Sequence, residues 1–312
     1  MQIRPYQGGD EAALLKIWER AMPHDRLAAN LFRTQILLDA NFLPANLPVA
    51  LVDGQIVGFV LALTRQVPLF LQGLEPDKAW ITAFGVDPAY RRQGVGTALF
   101  EHVLKRLSRE GRKSLAIAPY VPNYIVPGVD VDAYPGTVEF LEEKIGFTTQ
   151  SRAISMGADL TGFVLPPDIG EAIEEQRQQG LQVEPVSPAD LPELMPFLVD
   201  HFGWDWYRHA QSYLLEYFGG EPHRICFLVA RLNGEIVGFC QQRNERFGPF
   251  GVRPDCRGRG IGRILLCKCL ETMSARQVFY SYFLWTGEDA ARLYGLAGFK
   301  RRREFAVLHK EL

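Results

Sequence analysis

The spacing of apolar and polar positions predicts an alternation of strands and helices, and predicts it twice. A short strand at Gln2–Pro5 leads into a segment where Ala13, Leu14, Ile17 and Trp18 share one helical face. Two apolar runs then meet at Asp53-Gly54, a two-residue signature of a hairpin turn. A further strand, Trp80–Val86, runs into a glycine-containing loop that opens an amphipathic helix over Gly96–Arg109. Next come a strand, a short helix ending at Gly146-Phe147, and final strands. The second half repeats this order. It has a strand at Gln182–Pro185, a turn at Asn233-Gly234, a strand at Phe247–Val252, a helix over Gly262–Met273, and an end at Gly298-Phe299. Each half reads as mixed α/β.

The repeat is visible in the residues themselves. Leu51–Phe59 (LVDGQIVGF) matches Arg231–Phe239 (RLNGEIVGF), so Gly54 and Gly234 are 180 positions apart. Arg91–Gly96 (RRQGVG) matches Arg257–Gly262 (RGRGIG) at an offset of 166, and Phe147 matches Phe299 at 152. The offset shrinks twice by 14, which places two insertions in the first copy, near Val67–Lys78 and near Tyr120–Gly136. The second, rich in Tyr, Pro and Val, reads as a lid over a cleft or as a domain–domain contact. The repeat defines a first domain at 1–158, a linker at 159–180 that enters a short helix after Pro166-Pro167, and a second domain at 181–312.

Composition narrows the function. The 312 residues are 47% hydrophobic and 22% charged, ample for two cores. Thirty-four basic against 36 acidic residues give a net charge of −2, so no global field favours nucleic acid or anionic lipid. The longest apolar runs, Val57–Thr64 and Ile225–Ala230, are strand-length, and the start of the sequence lacks the apolar core of a signal peptide. The five cysteines form no CxxC and have no histidine at ligand spacing, so neither a metal site nor a disulfide framework is expected. These features predict a soluble, cytoplasmic protein.

The two glycine loops carry the candidate chemistry. In each copy a strand ends, a proline-containing turn follows, and R-x-x-G-x-G opens a helix. The helix start offers N–H groups backed by the helix dipole, an anion site suited to a diphosphate. The spacing fits neither the dinucleotide fingerprint nor the Walker loop. The fuller pattern V-x-P-x-x-R-x-x-G-x-G spans Val86–Gly96 and Val252–Gly262, and A-x-x-L-Y-x-x-x-G-F runs from Ala290 to Phe299. With these motifs the whole chain resembles, twice over, the GNAT superfamily of acyl-CoA N-acyltransferases, in an architecture similar to that of mycothiol synthase-like proteins.

The resemblance implies two twisted mixed β-sheets flanked by helices, each with a strand that splays open a cleft for acetyl-CoA. Cofactor contacts would come from Phe84, Gly85, Val86, Arg91, Arg92, Gln93, Gly94, Val95, Gly96 and Thr97 in the first copy. The second would supply Phe250, Gly251, Val252, Arg257, Gly258, Arg259, Gly260, Ile261, Gly262 and Arg263. Tyr294 takes the position of the tyrosine that protonates the departing thiolate, where the first copy has Glu142. Catalysis is therefore expected in the second copy, with Tyr294 as acid and Glu245 as candidate base; Asp205 and His201 are further base candidates. The aromatic cluster Phe202, Trp204, Trp206 and Tyr207 is either an acceptor-site wall or helix-packing core. Lys300–Arg303 reads as exposed charge or as a phosphate contact. The expected reaction moves an acetyl group to a primary amine of a small molecule, with no metal; the alternative is a non-catalytic acyl-CoA sensor or partner-binding module.

Overall fold

The computed structural model describes residues 1–117, 120–121, 123 and 125–312. In chain order the first half contains β1 (Gln2–Pro5), α1 (Glu11–Ala21), α2 (Ala29–Phe32), β2 (Pro48–Val52), β3 (Gln55–Leu63), β4 (Lys78–Val86), α3 (Val95–Arg109), β5 (Ser114–Ile117), β6 (Val129–Asp130), α4 (Thr137–Phe140) and β7 (Thr148–Asp159). There follow α5 (Pro167–Gln178), β8 (Leu181–Pro185), α6 (Leu191–Phe202), α7 (Trp204–Phe218), β9 (Ile225–Leu232), β10 (Glu235–Arg243) and β11 (Arg246–Val252). The chain ends with α8 (Ile261–Ala275), β12 (Tyr280–Phe283), α9 (Glu288–Leu296) and β13 (Lys300–Glu311). The mixed α/β class, the two hairpins and the linker helix stand where the apolar pattern predicts them.

The compact units do not follow the repeat boundaries. One comprises Met1–Ala153 with Arg303–Leu312; the other is Ile154–Arg302. The reason lies in strand pairing. In the first unit, β1, β2, β3 and β4 pair antiparallel in sequence, β4 pairs parallel with β5, and the open edge of β5 is closed by β13 from Leu308↔Ile117 to Glu311↔Ser114. In the second, β8, β9, β10 and β11 pair antiparallel, β11 meets β12 in parallel, and β12 is closed by β7 from Tyr280↔Asp159 to Phe283↔Met156. Each copy's last strand thus completes the other copy's sheet.

Helices fill the faces. In α3, Val95, Leu99, Phe100, Val103 and Leu107 form a buried stripe at helical spacing beneath the charged surface of Glu101, Lys105 and Arg109. Its counterpart α8 buries eight residues, including four at consecutive positions 264–267, and is correspondingly enclosed. The linker helix α5 sends Ile169 into the second unit's core. The first insertion (Val67–Lys78) is a long β3–β4 connection, where the second copy has only the turn Asn244-Glu245. All five cysteines are buried free thiols. No described helix is long and apolar enough to cross a membrane.

Candidate active site

In the first unit the site grows from one strand, β4. Its register with β5 runs from Lys78↔Ser114 to Ile81↔Ile117 and no further among the described residues, while pairing with β3 continues to Val86. A bulge between Leu61↔Ala83 and Ala62↔Ile81 leaves Thr82 as the extra residue, which bends β4 just past its described pairing with β5. A cavity of about 580 Å³ fills the resulting gap. It is lined by Phe84, Gly85 and Val86 of β4, by Arg91, Arg92, Gly94, Gly96 and Thr97 of the loop and α3, and by insertion residues on the other side.

The loop is locally determined. Asp87 accepts from the Ala89 N–H at 3.0 Å and pairs with Arg20 at 2.9 Å, which fixes the proline turn. Gly94 caps α3 at φ +82°, a Cβ added there would meet only open space, and Gly94, Gly96 and Thr97 line the cavity at the helix start, where the first N–H groups have no intrahelical partner. Arg92 holds a left-handed φ of +61°, a conformation that costs an ordinary residue roughly 1–2 kcal/mol. Arg91 donates to the Val86 and Ala21 carbonyls at 3.2 and 3.1 Å and so ties β4 to the end of α1; Gln93 turns back to the Ala89 carbonyl.

Opposite the loop stands a group of side chains that the sequence did not single out. Asp25, after α1, and Tyr134, in the second insertion, both line the cavity. The Tyr134 hydroxyl donates to Asp25 Oδ2 at 2.6 Å. Arg303 of β13 donates to Asp25 Oδ1 and Oδ2 at 2.7 and 2.9 Å, and its Nε donates to Asp130. Burial and the bond to Asp25 push the Tyr134 phenol well above its ordinary pKa. The second insertion therefore forms a wall of the cleft, although its residues 122 and 124 lie outside the described ones. Of the terminal basic run, Arg303 faces buried carboxylates, whereas Arg301 pairs with Glu288 at the surface. Glu142 is exposed and accepts from the Thr149 N–H and Oγ1 at 3.2 and 2.7 Å, so it turns outward.

The second unit repeats the loop and packs aromatic rings on the equivalent strand glycine. Gly260 caps α8 at φ +81° over open space, and Arg257 donates to the Val252 carbonyl at 3.1 Å, as Arg91 does to Val86. Gly258 takes the left-handed position that Arg92 holds in the first copy. Arg263, in the first turn of α8, is held by Asp168 at 2.6 Å. Phe202 and Trp206 stack at 4.7 Å and lie on Gly251, where an added Cβ would come within 2.4 Å of Phe202 and 3.0 Å of Trp206. Phe202 and Trp206 are thus packed against the strand, completed by Phe239 at 5.6 and 5.9 Å.

Tyr294 and Glu245 occupy contrasting environments, one buried and one exposed. Tyr294 is 8% exposed, with its ring 4.2 Å from Phe283, 5.6 Å from Phe250 and Phe299, and 6.0 Å from Phe247. That burial raises its phenol pKa steeply. Its place is an aromatic core position beside the inward side of α9, and the large cavity lies in the other unit. Glu245 is exposed at the β10–β11 turn, at the opposite end of β11 from the glycine loop. His201 packs its ring on Phe197 at 4.9 Å. Among the described residues, no group of three or more His, Cys, Asp or Glu side chains is arranged to hold a metal.

A glycine loop at a helix start beside a cavity is a geometry suited to an anion. The acetyltransferase (GNAT) family profile matches residues 12–125 and again 191–299, and the chain belongs to that family, in a tandem arrangement. It is 33% identical over 113 residues to L-2,4-diaminobutyric acid acetyltransferase of Nocardia farcinica, a match that covers 36% of this chain and about half (53%) of that protein. Among solved structures, a glucosamine N-acetyltransferase region of a fungal multi-domain β-N-acetylglucosaminidase superposes with a TM-score of 0.81 at 19% identity, over 99% of this chain and 38% of that one. A GCN5-related N-acetyltransferase from Sphaerobacter thermophilus gives 0.72 at 18% identity, over 99% and 95%. A tandem GNAT protein from the clavulanic acid biosynthesis pathway gives 0.64 at 15%, over 99% and 98%. At these identities the structural likeness concerns the fold.

Proposed function

We propose that this protein is an N-acetyltransferase that moves an acetyl group from acetyl-CoA to a primary amine of a small molecule, and that the first unit performs the transfer. The observation that carries this reading is the cavity of about 580 Å³ lined by both the glycine loop and the splayed half of β4. The N–H groups at the start of α3, with Arg92 beside them, suit the CoA diphosphate. Backbone groups of Phe84–Val86 suit the pantetheine arm, and a backbone N–H of this half of β4 suits the developing oxyanion. The amine nitrogen forms a bond to the acetyl carbon as the carbon–sulfur bond breaks; the amine gives up one proton and the departing thiolate takes one.

The second unit fits the alternative role of a non-catalytic module. Phe202 and Trp206 cover Gly251, where Ala21 and Phe59 cover Gly85 in the first, and Tyr294 sits within aromatic packing. The test is acetyl-CoA turnover against a panel of amines, with Tyr294→Phe alongside. Loss of turnover in Tyr294→Phe with an intact fold would return catalysis to the second unit.

A further inference from the structure

The glycine loop accounts for one side of the first unit's cavity; the side made by Asp25 and Tyr134 needs a separate explanation. Asp25, Asp130 and Arg303 form a withdrawn ionic triad, with side-chain exposures of 5%, 3% and 24%. Such a group is costly to bury unless every charge is hydrogen-bonded, and here the guanidinium spends three donors on two carboxylates. Two carboxylates against one guanidinium leave one net negative charge behind the wall. Tyr134 reads that charge out to the cavity. Its O–H is committed to Asp25 at 2.6 Å, and the raised phenol pKa keeps the proton in place. With its proton committed to Asp25, the phenol oxygen keeps lone-pair capacity to accept from a ligand N–H. The neighbouring lining residues Met22, Val126 and Val129 are apolar and compete for no hydrogen bond.

We propose that Tyr134 is the residue that receives the acceptor's amine N–H in the first unit, and that Arg303, delivered by the last strand, is a positioning residue that fixes the Asp25–Tyr134 pair. This rests on the transfer reading above and names its acceptor side. The ligand class follows from the charge: an alkyl or sugar amine whose ammonium form is drawn to the wall. An amine with a carboxylate on the same carbon would set that carboxylate against Asp25.

The experiment compares wild type, Tyr134→Phe, Arg303→Gln and Arg303→Lys in the full chain. Steady-state kinetics are run with primary alkylamines, glucosamine and α-amino acids, and acetyl-CoA binding is followed by calorimetry. Wild type should prefer the carboxylate-free amines. Tyr134→Phe and Arg303→Gln should raise the acceptor KM roughly tenfold, the effect of one hydrogen bond, while acetyl-CoA affinity stays within about twofold. Arg303→Lys should recover part of the loss. An unchanged acceptor KM in Tyr134→Phe, or an equal loss of acetyl-CoA affinity, overturns the assignment. If Arg303→Gln fails to fold, Tyr134→Phe and Arg303→Lys decide. A wild type that acetylates no amine sinks the transferase reading itself, whereas an active wild type with unaffected variants sinks only this one.

Discussion

The same glycine faces opposite neighbours in the two copies. Gly85 on β4 looks across at the Cβ of Ala21, the last residue of α1, and a cavity remains beside it. Gly251 on β11 lies beneath the ring of Phe202, the last residue of α6, with Trp206 stacked on top. Both loops cap their helix with a left-handed glycine, Gly94 or Gly260, so the contrast at the strand glycine rests on a few side chains at one helix end. The loops themselves add to it. The first copy keeps Arg92 in a left-handed conformation that its counterpart fills with Gly258, and tolerates that strain where a cation faces the cavity. A duplicated framework can thus keep the same loop in both halves while the side chains over the equivalent glycine differ.

Substitutions can break this comparison, and the sharpest falls in the loops. Gly94→Val should lower turnover on the order of 100-fold or more by pushing the diphosphate out of register, whereas Gly260→Val should leave it nearly intact. Steady-state kinetics on both variants decide the matter, and the reverse pattern would make the second unit the active one. Acid should act on the second unit through His209, whose pKa burial and the nearby Arg246, Arg208 and Arg243 push down to about 4. The unfolded chain protonates this group near ~6.5 and the folded one does not, so its contribution to stability is present above that pH and is lost as pH falls toward 4. The full loss is about 3 kcal/mol. Melting curves should steepen in their pH dependence over this window, and His209→Gln should flatten them.

Ala21→Phe imports the second unit's plug into the first. We expect the acetyl-CoA KM to rise about tenfold, with overpacking costing about 1–3 kcal/mol of stability. The mirror change, Phe202→Ala with Trp206→Ala, should raise the CoA stoichiometry seen by calorimetry from one to two; a stoichiometry fixed at one means something else closes that cleft. The smallest effect belongs to Tyr294→Phe, which keeps the ring packing and should alter kcat by less than about twofold. A drop of 10²-fold or more, typical of a lost general acid, would contradict this placement.

Much of the fold was legible because it is local. Hairpin turns at Asp53-Gly54 and Asn233-Gly234, the helical stripe of α3 and the two loops follow from a few neighbouring residues each. The exchange of end strands was not, because β7 and β13 satisfy either sheet equally well in a sequence pattern, and only long-range pairing chooses. The same limit hid the acceptor side of the site. Asp25, Tyr134 and Arg303 are separated by more than a hundred residues at each step, and no spacing rule links them. The terminal basic run was noticed, but charge alone does not tell Arg303, facing buried carboxylates, from Arg301 at the surface. The surroundings of Tyr294 were hidden for a related reason: a motif marks its position on α9, while the aromatic neighbours that enclose it come from three other segments.

The exchanged strands also impose an order on biosynthesis. The edge of β5 is apolar at Leu115 and Ile117 and finds its partner only in residues 308–311. At about 5–20 residues per second, the ribosome needs roughly 8–30 s to make the 150 residues between Ala153 and Arg303. Throughout that interval the nascent first unit carries an open sheet edge, the kind of surface that templates pairing with other chains. Its site, including the Arg303 clamp on Asp25, cannot close until translation is almost finished. A stop codon late in the message would therefore disable a cleft whose glycine loop was synthesised some two hundred residues earlier.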